Sequence, residues 1–222
     1  MEDNMKRKLI FCIAMMVSFS LLLAACGQKL ISEDQAKEAG LAMINRVFDV
    51  NETEAAVTLE EQPGLSYING VHAHLGGEDP IKYYTVKVGL LDDGNFLYYA
   101  EVNAQTGVAY RVDRNTASIS LSEEQRKQAD VLGNLDDFDP DSFLNIQNDA
   151  MSIVQGLIQT RLEKDVPIFR MYPDMVESDS VDFPKVRLEY IVVMENDTIY
   201  TIDLCWPSMD IIGVYNRTSD HF

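Results

Sequence analysis

His72-Ala73-His74, followed by Glu78 and Asp79, is the cluster in this chain that offers metal-ligand side chains at close spacing. In an extended segment the i and i+2 side chains point the same way, so two imidazoles could face one ion with a carboxylate as third ligand. Closed zinc sites combine four protein ligands at recognisable spacing. Here the histidines stand among Gly70, Gly76 and Gly77, which read as a solvated loop, and neither metal nor cofactor is expected. Hydrolytic chemistry has no better footing. The Gly-x-Ser-x-Gly elbow is missing, and the remaining histidine, His221, stands in the C-terminal tail. The carboxylate pairs Glu60-Glu61, Asp92-Asp93 and Asp136-Asp137 read as solvated surface in so acidic a chain. Asp92, Asp93 and Asn95 surround Gly94 without the spaced Glu and flanking helices of an EF-hand, so they read as a turn. No catalytic residue is expected, and the chain is not expected to be an enzyme.

Cys26 carries the clearest chemical signature. Lys6, Arg7 and Lys8 precede an apolar run from Leu9 to Leu23, and Leu23-Ala24-Ala25 leads directly into Cys26. Charged n-region, apolar h-region and small-residue cleavage site occur in the order of a secretory signal peptide. Ending in a cysteine, the stretch resembles the bacterial lipobox, which implies cleavage just before Cys26 and diacylation of its sulfur. Residues 1–25 are then a lipoprotein signal peptide and 26–30 a tether. A permanent span needs about 20 apolar residues, whereas this run is shorter and contains Ser18 and Ser20. Two acyl chains give stable anchoring where one gives marginal binding. The expected location is the cell membrane, lipid-anchored on the extracytoplasmic side. A start at Met5 would give a tidier signal than the acidic Met1–Asn4.

Charge and cysteines narrow the partners. The formal net charge is −18. Removing residues 1–25 takes away three cations and two anions and leaves −19. Nucleic acid and anionic head groups repel such a body, so attachment must come through the lipid. Cys12 departs with the signal and Cys26 is acylated, leaving Cys205 alone, with no intramolecular disulfide and no thiolate zinc site. In Tyr200–Trp206, an alternating run, it reads as a small strand hydrophobe.

The elements that position these residues follow one order twice. Ser32-Glu33-Asp34-Gln35 has the form of a capping box, and Ala36, Ala39, Met43, Val47 and Phe48 continue as a helical stripe. Strands are expected at Ala56–Glu60, Tyr83–Leu90, Phe96–Asn103 and from Val108 through Tyr110 to Val112, with turns at Asp92–Asn95 and Gln105–Gly107. Ser122–Leu132 reads as a polar capped helix, and Asn134–Asp141 as an acidic hinge. A second helix is expected over Asp141–Lys164, then strands at Pro167–Tyr172, Val186–Val193, Thr198–Trp206 and Ile211–Tyr215. Gly107-Val108-Ala109-Tyr110-Arg111 and Gly213-Val214-Tyr215-Asn216-Arg217 close the two halves alike. The expected fold is α+β, two tandem units, each a helix packed on a small antiparallel sheet. The units span 31–117 and 141–222, joined by 118–140.

Ile31-Ser32-Glu33-Asp34-Gln35-Ala36, Tyr83–Val88 and Tyr99-Ala100-Glu101-Val102-Asn103-Ala104-Gln105-Thr106-Gly107-Val108 together resemble a PepSY domain. That family reads Ile-Ser/Thr-x-x-x-Ala at its helix start and closes through an Asp/Asn-Ala-x-Thr-Gly turn between two strands. The resemblance covers residues 31–114. In the second half Cys205-Trp206-Pro207-Ser208-Met209 stands where that turn belongs, marking a diverged copy. PepSY domains occur in propeptides of thermolysin-like proteases and in exported proteins, and are regarded as inhibitory or regulatory. The resemblance implies a non-catalytic module and supplies no catalytic residues.

Tyr83 and Tyr99 lie opposite in phase to the core positions Tyr84 and Tyr98, on the outer sheet face, either as adjacent aromatics suited to a protein contact or covered by the long loop Glu61–Asp79 or the other unit. The expected function is a membrane-anchored, non-catalytic binding module that regulates or inhibits an extracytoplasmic protein such as a protease or cell-wall hydrolase. The alternative is a small-ligand or metal-binding lipoprotein serving a membrane transporter, with His72 and His74 as contacts.

Overall fold

Ser32 starts the first helix as expected. Its hydroxyl accepts from the Gln35 N–H at 3.2 Å, and the Gln35 side chain accepts from the Ser32 N–H at 3.0 Å, so the capping box satisfies two orphan donors. The helix, α1 (Glu33–Phe48), buries Ala36, Gly40, Met43, Ile44 and Val47 and ends at Asp49 in the left-handed conformation. Gly40 sits at the crossing point over a strand: a Cβ there would lie 2.6 Å from Val86 Cγ2. Phe48 stacks on Tyr98 with ring centroids 5.0 Å apart.

The computed structural model describes residues 29–62, 66–68, 71–73, 81–91, 95–133, 140–178 and 185–218. Ile31–Phe222 divides from Met1–Leu30 as a unit of its own. Its first half contains β1 (Ala56–Gln62), a small ribbon of β2 (Ser66–Ile68) and β3 (Val71–Ala73), then β4 (Ile81–Leu90), β5 (Phe96–Asn103) and β6 (Ala109–Arg114). The β5–β6 turn is held by Asn103, whose buried side-chain oxygen accepts from Gln105 and Thr106 N–H at 2.8 and 2.9 Å. Gly107 follows at φ 74°, a conformation that suits a residue without Cβ.

After β6, Ile119 and Leu121 pack with Cys205 and Ile212. Helix α2 (Glu123–Gly133) is capped by Ser122 and Gln125 as α1 is by Ser32 and Gln35. Helix α3 (Pro140–Leu157) runs into a π-helical turn, Ile158–Leu162. Four strands follow: β7 (Ile168–Ser178), β8 (Val186–Met194), β9 (Ile199–Trp206) and β10 (Asp210–Asn216).

These halves do not make two small sheets. Among the described residues eight strands form one antiparallel sheet in the order β1-β4-β5-β6-β10-β9-β8-β7. The expected pair of tandem helix-on-sheet units is therefore corrected to a mostly β fold with three α-helices among the described residues. The seam is made by β6 and β10, where Asp113 faces Gly213, Val112 faces Val214 and Arg111 faces Tyr215. Each four-stranded meander alone would leave the last strand with an unpaired backbone edge, and joining them satisfies both.

Register also shows which face is covered. Val86 and Ala100 face each other, as do Ala100 and Val112, then Val112 and Val214, Val214 and Ile202, and Ile202 and Tyr190. Directly opposed residues share a face. This apolar row meets α1 at Gly40 and α3 where the Tyr190 hydroxyl donates to the Gln147 carbonyl at 3.3 Å. Helices α1 and α3 thus lie on the same face. The other face carries mostly polar alternates, except where Cys205 on it packs with Ile119 and Leu121.

Candidate protein-binding face

Opposite α1 and α3, one row crosses the seam as Glu189, Asp203, Gly213, Asp113, Tyr99 and Lys87. The neighbouring row runs Ile191, Thr201, Tyr215, Arg111, Glu101 and Thr85. Strand alternation delivers these side chains to one surface although they come from six strands of both halves. Gly213 sits at the centre. A Cβ there would lie 2.7 Å from Asp203 Oδ2 and 3.1 Å from Asp113 Oδ1, so the two carboxylates reach over its bare Cα.

Arginines bracket these acids. Arg111 Nε donates to Asp113 Oδ2 at 2.7 Å, and its Nη1 lies 3.8 Å from Glu101. Arg187 Nη2 donates to Asp203 Oδ2 at 2.7 Å and to Glu189 at 3.3 Å. Arg217 donates to Thr201 Oγ1 at 2.6 Å and stands 3.7 Å from Glu189. Asp203 and Glu189 are each 7% exposed. Burial above all pushes the Asp113 carboxyl above the usual range, with Asp203 and Glu101 adding to the rise against the pull of Arg111. Burial likewise raises Glu189, and the Asp203 charge adds to it.

Tyrosines surround Glu101. The Tyr99 hydroxyl donates to it, and the half-exposed Tyr83 donates to Glu60 at 3.2 Å. Tyr110 lies near Glu101, with its ring 6.3 Å from that of Tyr215. Burial first, then the carboxylates, raises the ionisation of Tyr83, Tyr99 and Tyr110. All three stay protonated near neutrality, as hydrogen-bond donors and apolar rings rather than phenolate nucleophiles. Such a surface can take up a partner's donors and cations and bury its apolar groups.

Tyr83 and Tyr99 share the outer face, but they are not adjacent. Tyr83 faces Asn103, Tyr99 faces Lys87, and the Thr85–Glu101 pair stands between. Tyr110 was read only as part of the closing strand; it is buried, and a register shift between Glu101 and Val102 leaves it opposite no single residue of β5. The seam acids Asp113, Asp203 and Glu189 went unselected. Their signal was the phase of charged residues between apolar ones on β6, β8 and β9.

The other candidates fall elsewhere. Cys26 and the signal segment, with His74, Glu78, Asp79, Asp92, Asp93 and His221, lie outside the described residues, and of His72 only the backbone, in β3, is within them. Among the described residues no group of three or more His, Cys, Asp or Glu side chains is arranged to hold a metal ion. No described helix is long and apolar enough to cross a membrane. Cys205 is a buried cysteine in the apolar cluster with Ile119 and Leu121. An open cleft at Arg46 and residues 160–166 lies beside Arg161, whose guanidinium already binds the Val47 carbonyl and Asp49 at the end of α1. Comparison of the chain with protein-family models, curated proteins and solved structures gives no match.

Proposed function

We propose that this chain is an exported, lipid-anchored, non-catalytic protein that binds and restrains an extracytoplasmic partner, such as a protease or cell-wall hydrolase, through the sheet face opposite α1 and α3. One observation carries the reading: half-exposed Tyr83 and Tyr99 stand among Glu60, Glu101 and Asp113 on a face to which α1 and α3 do not pack. Aromatic side chains on a rigid sheet supply contact area at low entropic cost. The acidic surroundings favour a partner with a basic surface. The Lys6–Cys26 segment supports export and acylation, and the PepSY resemblance of residues 31–114 supports a regulatory role.

The test uses the full chain in native membranes. Labelled palmitate is incorporated into the parent and not into Cys26→Ala. Crosslinking and affinity capture then recover one envelope protease or wall hydrolase, which the purified chain inhibits stoichiometrically. Tyr83→Ala/Tyr99→Ala keeps its circular dichroism and melting temperature while losing at least about tenfold in affinity, as aromatic contact residues do. Full affinity in that variant overturns the placement of the surface. Recovery of transporter subunits, with ligand or metal bound, overturns the regulatory reading in favour of a cargo carrier.

A further inference from the structure

Strand β7 ends the sheet beyond β8, and its far edge has no neighbouring strand among the described residues. It is 11 residues long and presents Phe169, Tyr172 and Met175 at 72%, 37% and 43% exposure. A row of free N–H and C=O groups beside exposed apolar side chains is a template for another strand. The sequence of β7 also fits itself. Reversed about Tyr172, it sets Arg170 opposite Asp174, Phe169 opposite Met175 and Tyr172 opposite its own copy. A two-fold contact requires that kind of match, since residue i meets j while j meets i. We propose that two copies of this chain pair antiparallel through β7 about an axis at Tyr172, joining their sheets edge to edge.

Backbone geometry agrees with that axis. Pro173 has no N–H, so within an edge strand its nitrogen faces away from the ladder, toward the open side. Alternation then turns the N–H and C=O of Tyr172 toward β8. Across the axis the two Tyr172 residues form a non-hydrogen-bonded pair, for which Cα atoms lie about 4.5 Å apart. On either side Met171 donates to the Pro173 carbonyl of the other copy and receives nothing back. Pro173 and the register shifts at Ile168/Arg170 and Pro173/Met175 shorten the ladder. Specificity therefore rests on the side chains. Arg170 already lies 5.3 Å from the centre of the Tyr172 ring, beside the axis. Asp174 also stands beside Glu189 of its own chain, and an Arg170 from a second copy offsets that pair of acids, which an unrelated acidic strand would aggravate. The pairing is independent of the proposed function, because Tyr83 and Tyr99 stand on β4 and β5, in the other half of the sheet from β7.

The experiment places Tyr172→Cys in the full chain, in membranes, under mild oxidation. The Cα spacing suits a disulfide, so a covalent dimer is expected. The parent chain controls for its own cysteines, and Ser152→Cys, on the exposed surface of α3, controls for random collision. Arg170→Asp and Asp174→Arg each reduce the Tyr172→Cys crosslink about tenfold, and the two together restore it. A crosslink no stronger than that of Ser152→Cys, or a double exchange that fails to recover, overturns the proposal. Independently of any variant, sedimentation equilibrium of the detergent-solubilised parent gives a dimer at concentrations on the order of 10 µM. A monomer throughout that range overturns it equally.

Discussion

Asp113 and Asp203 come from different halves of the chain and meet over Gly213, one carboxylate oxygen 3.1 Å and the other 2.7 Å from where its Cβ would be. Each acid has an arginine, Arg111 or Arg187, at 2.7 Å. Asp203 Oδ1 nevertheless is buried with no hydrogen-bond partner among the described residues. The seam that joins the two meanders thus carries like charges close together. Its apolar side, Val112 against Val214, offsets that cost.

Gly213→Ala places a methyl group against carboxylates that Arg187 and Arg111 hold in position. A destabilisation of about 1–3 kcal/mol is expected, the range for overfilling a packed site. Urea unfolding with an unchanged m-value checks it. Combining the change with Asp203→Ala, which removes the nearer oxygen, is expected to make the Gly213→Ala increment smaller.

Asp113 gives the seam a pH dependence. Its carboxyl titrates above the usual range in the folded chain, while the unfolded value is about 3.9. Between those two values the folded state binds more protons than the unfolded state, so this group's contribution to stability falls as pH rises through the window. Asp113→Asn removes the titration. The stability of the variant minus that of the parent is expected to become more favourable between pH 4 and pH 7, measured by thermal melts across that range. A flat or opposite trend rejects the assignment.

Gly40→Ala tests how closely α1 lies on the sheet. Alanine gains about 1 kcal/mol in helix propensity, but its Cβ would lie 2.6 Å from Val86 Cγ2. Overpacking outweighs propensity here, and a net loss of about 1–2 kcal/mol is expected. Val86→Ala in the same chain is expected to recover part of it, a coupling readable from a double-mutant cycle.

Asn103→Ala removes the acceptor for two turn N–H groups at a buried position. The expected cost is about 1–3 kcal/mol, since both donors lose their partner. Asn103→Asp keeps the acceptor and is expected to cost less. Chemical denaturation of both variants decides it.

Much of this arrangement was legible in local residue order. Ser32 with Gln35 and Ser122 with Gln125 marked two helix starts, and both boxes are formed. Alternation located β4, β5, β8 and β9 and set Tyr83 and Tyr99 on the outer phase. The face that Tyr110 occupies was not legible, because one extra residue in β6 shifts the phase and a periodicity of two has no means of signalling that shift.

By itself the sequence determined where helices start, which side of β4, β5, β8 and β9 faces the core, and that the closing strands of the two halves resemble each other. These are properties of neighbouring residues, set by capping chemistry and side-chain alternation. Only the tertiary structure decided that β6 and β10 join into one sheet. Sheet edges are bonded through backbone N–H and C=O groups, which every residue but proline carries alike, so residue type specifies a strand's faces far more strongly than its neighbour. That choice brought Asp113, Asp203 and Glu189 together, and it left β7 at the end of the sheet with no strand beyond it among the described residues.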